Sequence, residues 1–169
     1  MYVVGDKVSV NDRMQHSYEY VISEQTACNY ASGFEPYLTP KEMLHMGVFE
    51  GKYCNDCQEE FPSDWFNSAK ISNHPNPSLN YFSVKSRQSL KFWELKGWII
   101  GPDPRGWFQW YCRYYLGRRL PDIDQLQIKR WRAFRRHEAQ IINNCEPGDF
   151  SCRPRQRQAL LQWAYNPHI

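Results

Sequence analysis

The sequence predicts a mainly α protein, a single compact helical domain with a small β or irregular N-terminal part. Three observations lead there. The C-terminal third holds three stretches with apolar residues at helical spacing, separated by glycine and proline. The segment Thr39-Pro-Lys-Glu-Met-Leu-His-Met-Gly47 carries the start and stop signals of a short helix. Only the first 30 residues mix β-branched and aromatic positions with polar ones as strands do.

In chain order, Tyr2-Val-Val4 and Lys7-Val-Ser-Val10 are expected to pair as a hairpin around Gly5-Asp6, with Glu19-Tyr-Val-Ile22 as another strand. Thr39 is an N-cap, Pro40 takes the first helical position, Glu42 sits at the capping-box position and Gly47 ends the helix. Phe61 to Phe66 reads as a turn into a short helix capped by Ser63 or Asp64, and residues 72–80 as a surface loop. A helix is expected from Ser89 to Lys96, stopped by Gly97. The next runs from after Pro104 to Gly117. A long helix should open at Pro121-Asp122 and continue to Asn144, where Pro147-Gly148 stops it. The last opens between Ser151 and Pro154 and carries Ala159, Leu160, Trp163 and Ala164 on one side. The expected division is an acidic segment 1–37 and a helical domain 38–169 with an arginine- and aromatic-rich C-terminal half.

A chain of 169 residues can bury a real core. With 16% aromatics, that core should rest on Trp, Tyr and Phe more than on aliphatic residues. No run reaches the roughly 18–20 apolar residues of a membrane span. The N-terminus lacks the basic and apolar regions of a secretory signal, so an intracellular setting is expected.

The net charge of +3 conceals a strong polarity. Residues 1–66 hold four Lys/Arg against eleven Asp/Glu, whereas residues 105–157 hold twelve against five. Such polarity suits an acidic partner for one face, or an electrostatic fit between halves, within the chain or across a homodimer.

The basic residues fall into three groups. Residues 103–119 contain six aromatics and four arginines, Arg105, Arg113, Arg118 and Arg119. Trp107, Trp110 and Tyr114 share one helix side and should build the core, leaving the arginines to face a partner. Lys129, Arg132 and Arg136 recur at helical spacing with Arg135 beside them, a ridge able to neutralise several phosphates or to lie solvated against acidic residues. Arg153, Arg155 and Arg157 flank the start of the last helix, where acidic residues are the stabilising choice. A local rule broken in this way points to an anion site, or to arginines paired with carboxylates across the fold.

Cys54-Asn-Asp-Cys57 has zinc-like spacing, and Cys145 with Cys152 is a second pair, so a four-thiolate zinc site is the one metal alternative. Buried thiols, or a Cys145–Cys152 disulfide in an oxidising setting, are the other readings. No cofactor is expected. Catalysis has no recognised motif: His45, His74, His137, Asp56, Asp64 and Asp103 fall at no spacing that specifies a reaction.

Leu38-Thr-Pro-Lys-Glu-Met43, Gly51-Lys-Tyr53, Glu60-Phe-Pro62, Gly97-Trp98, the Gly106-Trp-Phe-Gln-Trp-Tyr-Cys-Arg113 core, Gln127-Ile-Lys-Arg-Trp131 and the Cys152-to-Trp163 stretch carry a resemblance. They resemble an uncharacterised protein family of large amoeba-infecting DNA viruses, Marseillevirus-like viruses among them, with bacterial and fungal relatives. The resemblance spans roughly residues 38–165. It implies a viral setting, in the host cytoplasm, a viral factory or the virion, where nucleic acid is abundant. The family carries glycine where this chain has Glu50, a departure that argues against a backbone anion nest at Gly51-Lys52.

The expected function is a nucleic-acid-binding accessory protein making mostly phosphate contacts. One alternative is an enzyme on a nucleotide or modified base, with Asp103, Arg105 and Arg113 lining a cleft. Another is a structural homodimer held by charge-complementary halves.

Overall fold

The computed structural model describes residues 2–169. The first element pair is an antiparallel two-stranded sheet, β1 (Lys7–Val10) and β2 (Tyr18–Val21), in which Lys7 faces Val21 and Val10 faces Tyr18. Val8, Val10 and Tyr20 alternate onto the buried side, while Ser9 donates to Glu19 across the outer one. Tyr2–Val4 forms no strand, contrary to expectation. The Gly5 N–H donates to the Ile22 carbonyl and the Ile22 N–H donates to Asp6, so the backbone around Gly5-Asp6 extends the β1–β2 pairing.

The helices are α1 (Pro40–Met46), α2 (Leu90–Leu95), α3 (Trp107–Leu116), α4 (Pro121–Ala133), α5 (Arg135–Asn144) and α6 (Pro154–Gln162), with 3₁₀ turns at Gln58–Glu60, Ser63–Trp65 and Pro77–Leu79. Irregular chain fills much of residues 47–89, so the fold is helical with a small sheet but less strictly α than expected.

At α1 the cap forms as the sequence specifies. The Glu42 N–H donates to Thr39 Oγ1 at 3.2 Å, and Glu42 Oε2 accepts from the Thr39 N–H at 2.7 Å. A cap of this kind contributes about 1 kcal/mol.

Expectation and structure part at residue 134. The sequence predicts one helix from 121 to 144, but the chain breaks into α4 and α5 at Phe134. The Trp131 carbonyl accepts the Tyr165 hydroxyl at 2.7 Å and the Phe134 N–H at 3.0 Å, a contact one residue shorter than the α-helical one. Trp131 stacks on Tyr165 and Phe134 on Trp163, so distant aromatics set the break.

The chain divides into two compact units that interleave along the sequence. Unit 1 takes the chain up to Glu35, Asp56–Ser63 and Gln88–Lys129; unit 2 takes Pro36–Asn55, Asp64–Arg87 and Arg130–Ile169. The core of unit 1 is aromatic: Phe34 packs against Trp110, Tyr111 and Tyr114, and Trp107 stacks on Tyr111. In unit 2, Met43, Ile141, Leu160, Leu161 and Ala164 are fully buried. There the Gln158 side chain donates to the Gly47 and Val48 carbonyls and accepts from the Phe82 N–H.

Candidate functional site

α3 is buried on almost every side, from Trp107 through Tyr114, and that burial takes Arg113 with it. Trp107, Trp110 and Tyr114 build the core as expected, but the expectation that the arginines beside them face a partner is not met. Arg113 and Arg118 are 0% and 1% exposed. Arg113 Nε and Nη2 donate to the two Glu60 oxygens at 2.6 and 3.0 Å, and Nη1 donates to Asp103 Oδ1 at 2.9 Å and to the Pro102 carbonyl. Arg118 reaches the same Asp103 carboxylate with Nη1 at 2.8 Å and Nη2 at 2.6 Å.

Two guanidiniums thus face two carboxylates in a closed, neutral cluster. The Tyr18 and Tyr20 rings lie against the Arg113 guanidinium, and the Gln15 side chain accepts from it. Burial works against the Arg113 charge, but the hydrogen bond and charge of Glu60, then Asp103, more than offset it and raise its pKa. Burial first, and Glu60 second, push the Tyr20 hydroxyl above its ordinary range, so it stays a donor to Glu60.

Arg105 and Arg119 of unit 1 are also occupied, while Arg13 is exposed. Arg105 is 11% exposed in its side chain and pairs with Asp12 at 3.3 Å and Asp56 at 2.9 Å. Arg119 donates to the Tyr114, Arg118 and Cys28 carbonyls and lies 3.9 Å over the Tyr114 ring. Lys129 is exposed on α4.

Unit 2 behaves differently. Arg157 is 0% exposed and spent inside, donating to the Cys152, Asp149, Pro167 and Ile169 carbonyls. Arg132, Arg135, Arg136, Arg153 and Arg155 are exposed. Arg135, Arg136, Arg153 and Arg155 enter no ion pair among the described residues. Arg135 and Arg136 open α5, and Arg153 and Arg155 open α6. α5 spans about 15 Å, and α5 and α6 pack on each other with Gln156 donating to Gln140. Arg153 occupies the left-handed region at φ 55° and caps nothing with its side chain.

Charge sorts by unit more informatively than by sequence half. Unit 2 holds twelve Lys/Arg against six Asp/Glu, a net of +6, while unit 1 holds nine against twelve, a net of −3.

The catalytic candidates scatter. Asp103 is sealed in the ionic cluster, Asp56 holds Arg105 and Asp64 pairs with Lys41. His45 Nε2 lies 3.0 Å from the Trp65 carbonyl oxygen and His74 is exposed in a loop. His137 packs beside Phe134, and burial first, then Arg136, hold its pKa below the ordinary histidine value. As pH falls, the unfolded chain takes up this proton before the folded one. The stability tied to neutral His137 is therefore full above about 6.5 and is lost as pH falls toward the depressed folded value. His137→Gln is expected to flatten the decline of the melting temperature between pH 7 and pH 5.5; an unchanged slope would show that the ring is fully solvated.

Cys145 and Cys152 are joined by a disulfide, which removes both from a four-thiolate zinc set. Cys54 and Cys57 are buried. No group of three or more His, Cys, Asp or Glu among the described residues could hold a metal ion. No helix among them is long and apolar enough to cross a membrane.

Fold and site together define a small helical protein with a sealed ionic centre in one unit and exposed arginines in the other. No protein-family model, curated protein or solved structure matches the chain.

Proposed function

We propose that the protein binds nucleic acid through phosphate contacts made by Arg132, Arg135, Arg136, Arg153 and Arg155 of unit 2. The observation that carries this reading is the contrast between the two sets of arginines. Four of the five unit 1 arginines, Arg105, Arg113, Arg118 and Arg119, are engaged by carboxylates and carbonyls and only Arg13 is exposed, whereas four on α5 and α6 are exposed and enter no ion pair among the described residues. Guanidinium forks suit phosphate oxygens, and charges in water are cheap to bring to a polyanion. Contacts of this kind carry little base information, so binding should be weakly sequence-specific. An accessory role in a large DNA virus is the setting that the resemblance over residues 38–165 implies.

The other two readings draw less support. Asp103 is buried and held by Arg113 and Arg118, so it is closed to a substrate. For a charge-paired homodimer, Asp12, Asp56, Glu60 and Asp103 are already paired within unit 1, which leaves the exposed Glu19, Glu35 and Glu59 among its acids.

The test is a titration of a 20-base-pair duplex between 50 and 200 mM salt. Replacing Arg135, Arg136, Arg153 and Arg155 together by alanine should remove about 3 to 4 from the slope of log K against log salt. Thermal stability should stay nearly unchanged, because exposed positions cost little. Absence of binding by the unaltered protein at 50 mM salt ends the proposal.

A further inference from the structure

We propose that the Cys145–Cys152 disulfide is a redox switch on the unit 2 arginine site, a reading that rests on the proposed nucleic-acid binding. The bond closes the connection between the two helices that carry the exposed arginines. Cys145 caps the end of α5, its N–H donating to Ile141, and Cys152 immediately precedes Arg153 at the start of α6. Both cysteines are partly exposed, unlike Cys54, Cys57 and Cys112, which are buried. A reagent in water therefore reaches this pair and not those thiols.

Inside the loop, Arg157 Nε donates to the Cys152 carbonyl at 2.7 Å and Nη2 donates to the Asp149 carbonyl at 3.0 Å. Its Nη1 holds the C-terminal residues Pro167 and Ile169 at 2.8 and 3.0 Å. The backbone of the disulfide loop is thus wired to the start of α6, and the Asp149–Ser151 turn completes it, Asp149 Oδ1 accepting from the Ser151 N–H and hydroxyl. With the bond closed, the arginine pair opening α5 and the pair opening α6 are held at one spacing. With it open, the α5–α6 connection is free to spread, and binding must order it again.

The chemistry needs only a low-molecular-weight thiol. A thiolate attacks one sulfur, a mixed disulfide forms and the protein S–S bond breaks. The departing sulfur leaves as thiolate and takes a proton from water. A second thiolate then attacks the mixed disulfide and frees the other cysteine, so two thiols are oxidised to one disulfide while the protein gains two electrons and two protons.

The experiment uses the whole protein and a 20-base-pair duplex at 50 mM salt. Oxidised protein is verified by mass and by the absence of alkylation at Cys145 and Cys152 in peptide mapping, with the partly exposed Cys28 alkylated in every sample. It is compared with protein reduced by dithiothreitol and with a Cys145→Ser, Cys152→Ser double variant. Reduction is expected to weaken binding about tenfold, the cost of ordering a few arginine side chains and their loop. The double variant should match the reduced protein and ignore dithiothreitol. Hydrogen exchange of residues 145–157 is read on the same samples and should speed up on reduction. Equal affinities in both redox states, or unchanged exchange in that segment, overturn the switch while leaving the binding site standing. No duplex binding in either state overturns the proposed function and the switch with it.

Discussion

Replacing Asp103 by alanine is expected to destabilise the protein by about 3–5 kcal/mol. Asp103 is the shared acceptor of two buried cations, taking Arg113 Nη1 at 2.9 Å and Arg118 Nη1 and Nη2 at 2.8 and 2.6 Å. Without it, Arg118 keeps its buried charge with the Tyr18 hydroxyl oxygen at 3.3 Å, and Glu60 is left to balance two guanidiniums. An uncompensated charge in a low-dielectric interior is the most expensive outcome a single substitution can produce. At 2–4 °C per kcal/mol for a chain of this size, the melting temperature should fall by roughly 10 °C. A double variant, Asp103→Ala with Arg118→Met, removes the stranded charge as well and should recover part of the loss. Thermal or urea unfolding reads both. A single-variant cost below about 1 kcal/mol would mean that water reaches the cluster, because solvated ion pairs carry no more than that.

Gly117→Ala should also exceed the ordinary range for one methyl group, at about 3 kcal/mol or more. Gly117 ends α3 at φ 113°, in the left-handed half of backbone space. A Cβ there would lie 2.0 Å from the Glu24 carbonyl oxygen and 3.1 Å from Ile22 Cγ2. That approach serves a purpose, since the Ser23 and Glu24 N–H groups both donate to the Gly117 carbonyl, at 2.9 and 3.0 Å, and tie the chain after β2 to the end of α3. The internal comparison is Gly148→Ala. Gly148 has φ 85° but open space around it, so it isolates the conformational penalty, about 1–2 kcal/mol. If the two variants unfold at the same urea midpoint, the close approach at Gly117 contributes nothing.

Local features are legible in the sequence. The α1 capping box, the glycine stop of α3 and the proline start of α6 all rest on residues within a few positions of the groups they satisfy. The assignment of Trp107, Trp110 and Tyr114 to the core is equally legible, since it follows from helical spacing. The fate of the arginines is not. Arg113 looks exposed when α3 is pictured with a single buried side, but in this fold α3 is enclosed on nearly all sides. Its carboxylate partner Glu60 lies 53 residues earlier, in a Glu59-Glu60 pair that reads like ordinary surface. Nor does any local pattern announce the break at Phe134, because it depends on the Tyr165 hydroxyl, which lies 34 residues from the Trp131 carbonyl it takes.

By itself the sequence determined most helix ends, the aromatic core of α3 and the abundance of arginine, because each depends on residue type and short spacing. Only the tertiary structure decided which arginines are interior counter-ions and which remain in solvent. The physical reason is that a guanidinium's role is set by the acceptors around it. For Arg113 one acceptor, Glu60, is 53 residues away. Asp103 for Arg113 and the carbonyls of Asp149, Pro167 and Ile169 for Arg157 lie 8 to 12 residues away, and turns that no simple spacing rule announces bring them back onto the guanidinium.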